Sequence, residues 1–137
     1  MQKEEVKAFK FKLRGYTYLC STIGTLENSI EFCYDRLGGV RGIDPSKEPT
    51  HAMPNKELEY KLRDDIERYE AKLKLKVNEK VEIDQILGKI ENPLRDAIFD
   101  VYVLGRRVDD VARGLYLSHN GLHKQINKAI ERALREV

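Results

Sequence analysis

The chain has 137 residues, 41% hydrophobic and 35% charged, with no Trp and a formal net charge of +2. That length bounds it to one domain, or one small domain with an extension, and the charged fraction points to long solvated helices. No stretch approaches the roughly 20 apolar residues that span a bilayer, and no apolar run follows the Lys-rich residues 1–14 to complete a signal peptide, so a reduced cytoplasmic protein is expected.

Residues 4–37 are predicted to form one long helix. Val6, Phe9, Leu13, Tyr16, Cys20, Ile23, Leu26, Ile30, Cys33 and Leu37 recur in steps of three and four, with one short step near Ile23. That is a coiled-coil-like seam with a stutter. Gly15 and Gly24 fall off the seam, and each weakens a helix by about 1 kcal/mol relative to Ala, so a bend is expected near one of them. Cys20 and Cys33 lie too far apart on one helix to pair and read as small buried hydrophobes. Lys7, Lys10, Lys12 and Arg14 make the first turns basic. Such a run is ordinarily a solvated face; its functional reading is a phosphate-contacting arm.

Residues 38–55 hold three of the nine Gly and three of the four Pro and form the one clear loop. The glycines lack the spacing of a phosphate-cradling motif, and His51 has no ligand partner nearby. A second long helix should start after Pro54 with Asn55 as its cap. Its stripe is Leu58, Leu62, Ile66, Tyr69, Leu73, Val77, Val81, Ile83, Leu87 and Ile90, separated by dense mixed charge. At 1.5 Å per residue it would run about 50 Å, and two such helices joined by one loop should pack antiparallel. The two stripes are longer than the rest of the chain needs for support. Self-association through this hairpin, over residues 1–91, is therefore expected, with Ile66 and Leu73 central to it.

Residues 92–137 read as a separate module. Asn92 suits an N-cap and Pro93 the first helical position. Leu94, Ile98, Val101 and Tyr102 follow at helical spacing until Gly105, which can supply a left-handed stop. A short helix then places Val108, Val111, Ala112 and Leu115 on one face, with small Ala112 where another helix can cross closely. At the Tyr116-Leu117-Ser118 corner, Leu117 can plug the angle and Ser118 can cap the next helix. Tyr116 stands where such corners usually carry Gly, so either it accepts an unusual backbone angle or the turn differs slightly.

That last helix should bury Leu122, Ile126, Ala129 or Ile130, and Ala133 or Leu134. Its other face shows His119, Asn120, His123, Lys124, Asn127 and Lys128. Two short helices, a three-residue corner and an exposed polar second helix make a helix-turn-helix. The charge agrees: residues 1–92 carry seventeen cations and seventeen acids, so the whole excess lies in residues 93–137, with eight against six. His119, Asn120, His123 and Lys124 are placed to reach base edges, with Asn127 and Lys128 near the groove wall. Arg106 and Arg107 precede a helix start suited to a phosphate oxygen, and Asp109 and Asp110 should turn away, towards solvent or Arg113.

Val108 to Leu134, with Val-Asp-Asp-Val-Ala and Leu-Tyr-Leu-Ser in register, resembles the helix-turn-helix of sigma factor region 4. The wider arrangement resembles phage-encoded late transcriptional activators of the ArpU and RinA type, well over roughly the last 45 residues and in architecture alone before them. The resemblance implies sequence-specific binding of double-stranded DNA and activation, with host RNA polymerase as the candidate protein partner. The rival readings are a small terminase-like DNA-packaging protein and a coiled-coil adaptor without nucleic-acid binding. Catalysis has no support, because no paired-carboxylate, Ser-His-Asp or Cys-His arrangement occurs. No cofactor is expected either: His119 and His123 have metal-ligand spacing but no third ligand follows.

Overall fold

The computed structural model describes residues 2–41 and 55–136, and every regular element among them is a helix. In chain order these are α1 (Gln2–Arg14), α2 (Tyr16–Arg41), α3 (Asn55–Gly88), α4 (Leu94–Ile98, continued by a π-helical turn over Phe99–Val103), α5 (Val108–Gly114) and α6 (His119–Arg135). The protein is all-α. Most of the 38–55 loop, His51 included, lies outside the described residues, although α2 runs on through Gly38 and Gly39 to Arg41.

Two departures from the sequence pattern lie near the start. The single helix over 4–37 is interrupted at Gly15, whose N–H is shared between the carbonyls of Phe11 (3.3 Å) and Lys12 (3.2 Å) while its own carbonyl accepts from Leu19 (2.9 Å). Backbone bonding thus continues on both sides of a slight break, as expected of the weaker helix former at that point. The stripe also shifts there: Leu19 is buried and Cys20 only half-buried. The four-residue step therefore falls between Leu19 and Ile23, which favours the larger apolar side chain for the interior.

The chain forms two compact units, Met1–Cys20 with Asn78–Val137, and Ser21–Val77. In the second, α2 and α3 pack as an antiparallel pair. Cys33 and Leu37 of α2 cluster with Leu62 and Ile66 of α3, flanked by Leu58 and Tyr69. The Tyr34 hydroxyl donates to Glu70 at 2.9 Å. Both cysteines are free thiols, Cys33 buried and Cys20 partly so. Ile66 thus serves the antiparallel pairing expected of the two helices. Val77 and, in the other unit, Val81 belong to the expected stripe yet lie exposed.

In the unit that holds the module of residues 92–137, α1 packs against α6 and the π-helical turn, and α6 also receives α4 and α5. Leu13, Ile98, Leu122, Ile126 and Ile130 are fully buried there. Removing each such side chain from water contributes about 1.5–3 kcal/mol. No buried side-chain N or O atom lacks a hydrogen-bond partner among the described residues.

Tyr16 ties α2 to the end of α3 in this unit. Its hydroxyl donates to Asp84 Oδ1 at 2.7 Å, and Lys80 holds the other carboxylate oxygen at 2.8 Å. Burial and the Asp84 carboxylate push the phenol up to about 12. A raised acid pKa in the fold favours the neutral phenol. Its contribution is therefore complete below the ordinary tyrosine pKa of about 10 and is lost as pH rises through about 12. Thermal melts should thus show a decline between those two values that Tyr16→Phe reduces. An identical alkaline decline in the variant would remove Tyr16 as its source.

Candidate nucleic-acid interface

The first helix of the module starts at Leu94, one residue later than the sequence suggests, with Pro93 rather than Asn92 at the cap position. Asn92 nonetheless supplies the capping oxygen, since its Oδ1 accepts the Asp96 N–H at 3.1 Å. At the far end, Gly105 takes φ of 72°, as anticipated. The wide turn over Phe99–Val103 closes with Leu104 N–H on the Phe99 carbonyl (3.0 Å) and Arg106 N–H on the Asp100 carbonyl (2.9 Å). The chain then leaves in the direction of α5.

Between α5 and α6 the corner is tight. Tyr116 sits at φ of 59°, the left-handed region, with its ring 97% exposed. Leu117 N–H returns to the Ala112 carbonyl at 2.9 Å, and Ala112 is 2% exposed, so a small residue stands where the helices cross. A non-glycine residue in this conformation costs about 1–2 kcal/mol, and glycine would return about 0.5–1 of it as lost chain entropy. Tyr116→Gly should therefore raise stability by about 0.5–1 kcal/mol, readable as a higher melting temperature. A lower one would mean the exposed ring stabilises the corner.

Ser118 caps α6 as expected: its Oγ accepts the Gly121 N–H at 2.9 Å. The approach is close enough that a Cβ on Gly121 would meet that oxygen at 2.9 Å, which explains the glycine in a helical first turn. Of the alternatives left open for the buried face, the structure selects Ile130 and Ala133, beside Leu122 and Ile126. Asn120, Lys124 and Lys128 are exposed, and neither lysine has an ion-pair partner among the described residues.

The two histidines meet a carboxylate of α5. Asp109 and Asp110 are both exposed to solvent, as expected, and Asp109 Oδ1 also lies 2.8 Å from His119 Nδ1. The corner brings the first turn of α5 beside the first residue of α6, so the nearest cation-forming group is His119. That hydrogen bond holds the Asp109 carboxyl below the usual carboxylate range. An ionised Asp109 makes Nδ1 the protonated nitrogen and leaves Nε2 facing outward. His123 meets the His119 ring edge-on, centroids 4.8 Å apart. Burial, then His119 and Lys10, lower its pKa.

Asn127 accepts a hydrogen bond at Oδ1 from Lys10 Nζ of α1. Lys10, which the sequence placed in the basic run of α1, thus lies beside α6. Arg106 is partly committed, its Nη1 lying 3.1 Å from Asp100 Oδ2. Arg107 occupies the N-cap position of α5 and is exposed. That helix has only seven residues, and Asp109 and Asp110 stand in its first turn.

The exposed set Arg107, Asn120, Lys124 and Lys128, with the outer edges of His119, His123 and Asn127, offers amide, imidazole and ammonium groups along one ridge. Amides can pair bidentately with adenine and lysines with guanine, whereas arginines and lysines at the margin suit phosphates. No group of three His, Cys, Asp or Glu able to hold a metal ion occurs among the described residues. No helix among them is long and apolar enough to cross a membrane. The chain matches no family model, no curated protein and no solved structure.

Proposed function

We propose that this protein is a sequence-specific DNA-binding transcriptional regulator of the phage or prophage late-activator kind, which reads duplex DNA with α6. The observation that carries this reading is a Ser118-capped helix whose inner face is closed by Leu122, Ile126 and Ile130 and whose outer face offers Asn120, Lys124 and Lys128. A helix so held by three neighbours has the rigidity that base-edge recognition requires. Activation would proceed through host RNA polymerase in the cytoplasm. Phe32, Tyr60, Leu75 and Val77 of the α2–α3 unit remain exposed and support self-association, which would place two copies of α6 on two half-sites.

Selection of bound duplexes from a randomised pool tests the reading, and recovery of one motif is the expected result. Uniform recovery would leave a non-specific DNA binder, and no binding even at low salt would remove the nucleic-acid role altogether. Sedimentation of the same protein separates a dimer, expected of a regulator, from a ring, expected of a packaging protein.

A further inference from the structure

We propose that α1 is a second arm of this surface, and that its Lys3, Lys7, Lys10 and Arg14 side chains grip the phosphate backbone beside the groove that α6 enters. The inference rests on the DNA reading of α6 and extends it to an element more than a hundred positions away in sequence, Lys10 and Asn127 being 117 apart. The four cations recur at steps of four, three and four, which places them on one face of a helix. Of the acids of that helix, Glu5 falls on another face, and Glu4 stands beside the stripe, three residues before Lys7, without an ion pair to it among the described residues.

Position supports the inference as much as pattern. Val6, Phe9 and Leu13 are 6%, 2% and 0% exposed, so α1 is fixed by its apolar face and that face is not available to a membrane surface. On the neighbouring face Lys3, Lys7 and Lys10 line one groove with Asn127 and Glu131 of α6. Glu131 is engaged by Arg135 at 2.8 Å, and neither Lys3 nor Lys7 has a carboxylate partner among the described residues. Lys10 and Arg14 both stand over the Tyr102 ring, 5.3 and 5.5 Å from its centroid. Like charges are thus crowded and held in place, with no acid among the described residues paired to them. Such an arrangement is relieved by a polyanion. From Lys3 to Arg14 the stripe runs about 16 Å at 1.5 Å per residue, against about 3.4 Å of axis per phosphate on one strand. Several consecutive phosphates lie within its reach.

The test is a salt titration of the full chain on a fluorescent mixed-sequence duplex, followed by anisotropy. Lys3→Gln with Lys7→Gln should lower the slope of log affinity against log salt by about 1.8, or about 0.9 for each phosphate that the variant no longer neutralises. Lys12→Gln should leave it unchanged, because Lys12 faces the other side, in a cleft with Glu5, Glu82 and Gln85. An unchanged slope in the Lys3/Lys7 variant, with a reduced one in Lys124→Gln/Lys128→Gln, would overturn the α1 arm and leave the α6 reading standing. If the unaltered protein binds no duplex, both fall together. An equal loss from Lys12→Gln would reduce the effect to net charge and overturn the arm as well. Binding to phosphatidylserine vesicles that only the Lys3/Lys7 change abolishes would assign the stripe to a lipid surface instead. Matching circular dichroism and melting across the variants secures the comparison.

Discussion

Ile126→Ala is expected to destabilise the α6-containing unit by about 2–5 kcal/mol, the range for emptying a core aliphatic site. Ile126 is 0% exposed and lies one helical turn from Leu122 and Ile130, each also 0% exposed. Neighbouring helices close on α6 around them, α1 and α4 among them. A cavity there has rigid walls on several sides and little room to collapse, which favours the upper half of the range. In a unit of this size each kcal/mol moves the melting temperature by roughly 4–8 °C, so a drop of at least about 10 °C should appear. DNA affinity measured well below that temperature should scarcely change, because the side chain points away from the exposed ridge. A loss under about 1 kcal/mol in denaturant titration would mean that α6 is not seated as described.

Asn120→Ala should have the converse signature. The side chain is exposed, so stability should stay within about 0.5 kcal/mol. On the proposed DNA reading its amide would offer one donor and one acceptor to an adenine edge. Losing that pair should weaken binding to the selected duplex by about 1–3 kcal/mol and to mixed-sequence duplex far less. Competition binding on the two duplexes gives the answer directly. Equal losses on both would show that Asn120 contributes to affinity and not to reading.

Where one residue's chemistry determined the local geometry, the sequence was legible. The left-handed Gly105 and Tyr116, the Ser118 cap and the small Ala112 at the crossing all follow from local rules and all stand where those rules put them. The buried stripe of α6 was legible to within one residue for the same reason. Pairings over long distance were not. Nothing local says that Lys10 meets Asn127, and the basic run was read as Lys7, Lys10, Lys12 and Arg14, which leaves out Lys3 and includes Lys12, a residue off the stripe. Separating the four by their steps was the available signal. Asp109 was missed for another reason: helix-dipole logic explains its place in α5, and only the angle of the corner brings it to His119. Along α2, hydrophobic periodicity tolerates a one-position shift, so Leu19 and Cys20 could not be told apart without the partner helix.

The α1–α6 contact also bears on how the surface comes into existence during synthesis. A unit made of Met1–Cys20 and Asn78–Val137 has all of Ser21–Val77 threaded between its parts. At roughly 5–20 residues per second, α1 leaves the ribosome several seconds before α6 does. During that wait Phe9 and Leu13 have no α6 to cover them, while α2 and α3 can already pair through Cys33, Leu37, Leu62 and Ile66. Closing so long a segment is entropically slow to nucleate, and a preformed α2–α3 pair shortens the effective loop that must be closed. The helical pair thereby acts as an assembly jig. Because α6 follows both α2 and α3 in the chain, the α1–α6 contact is completed only after that pair can form.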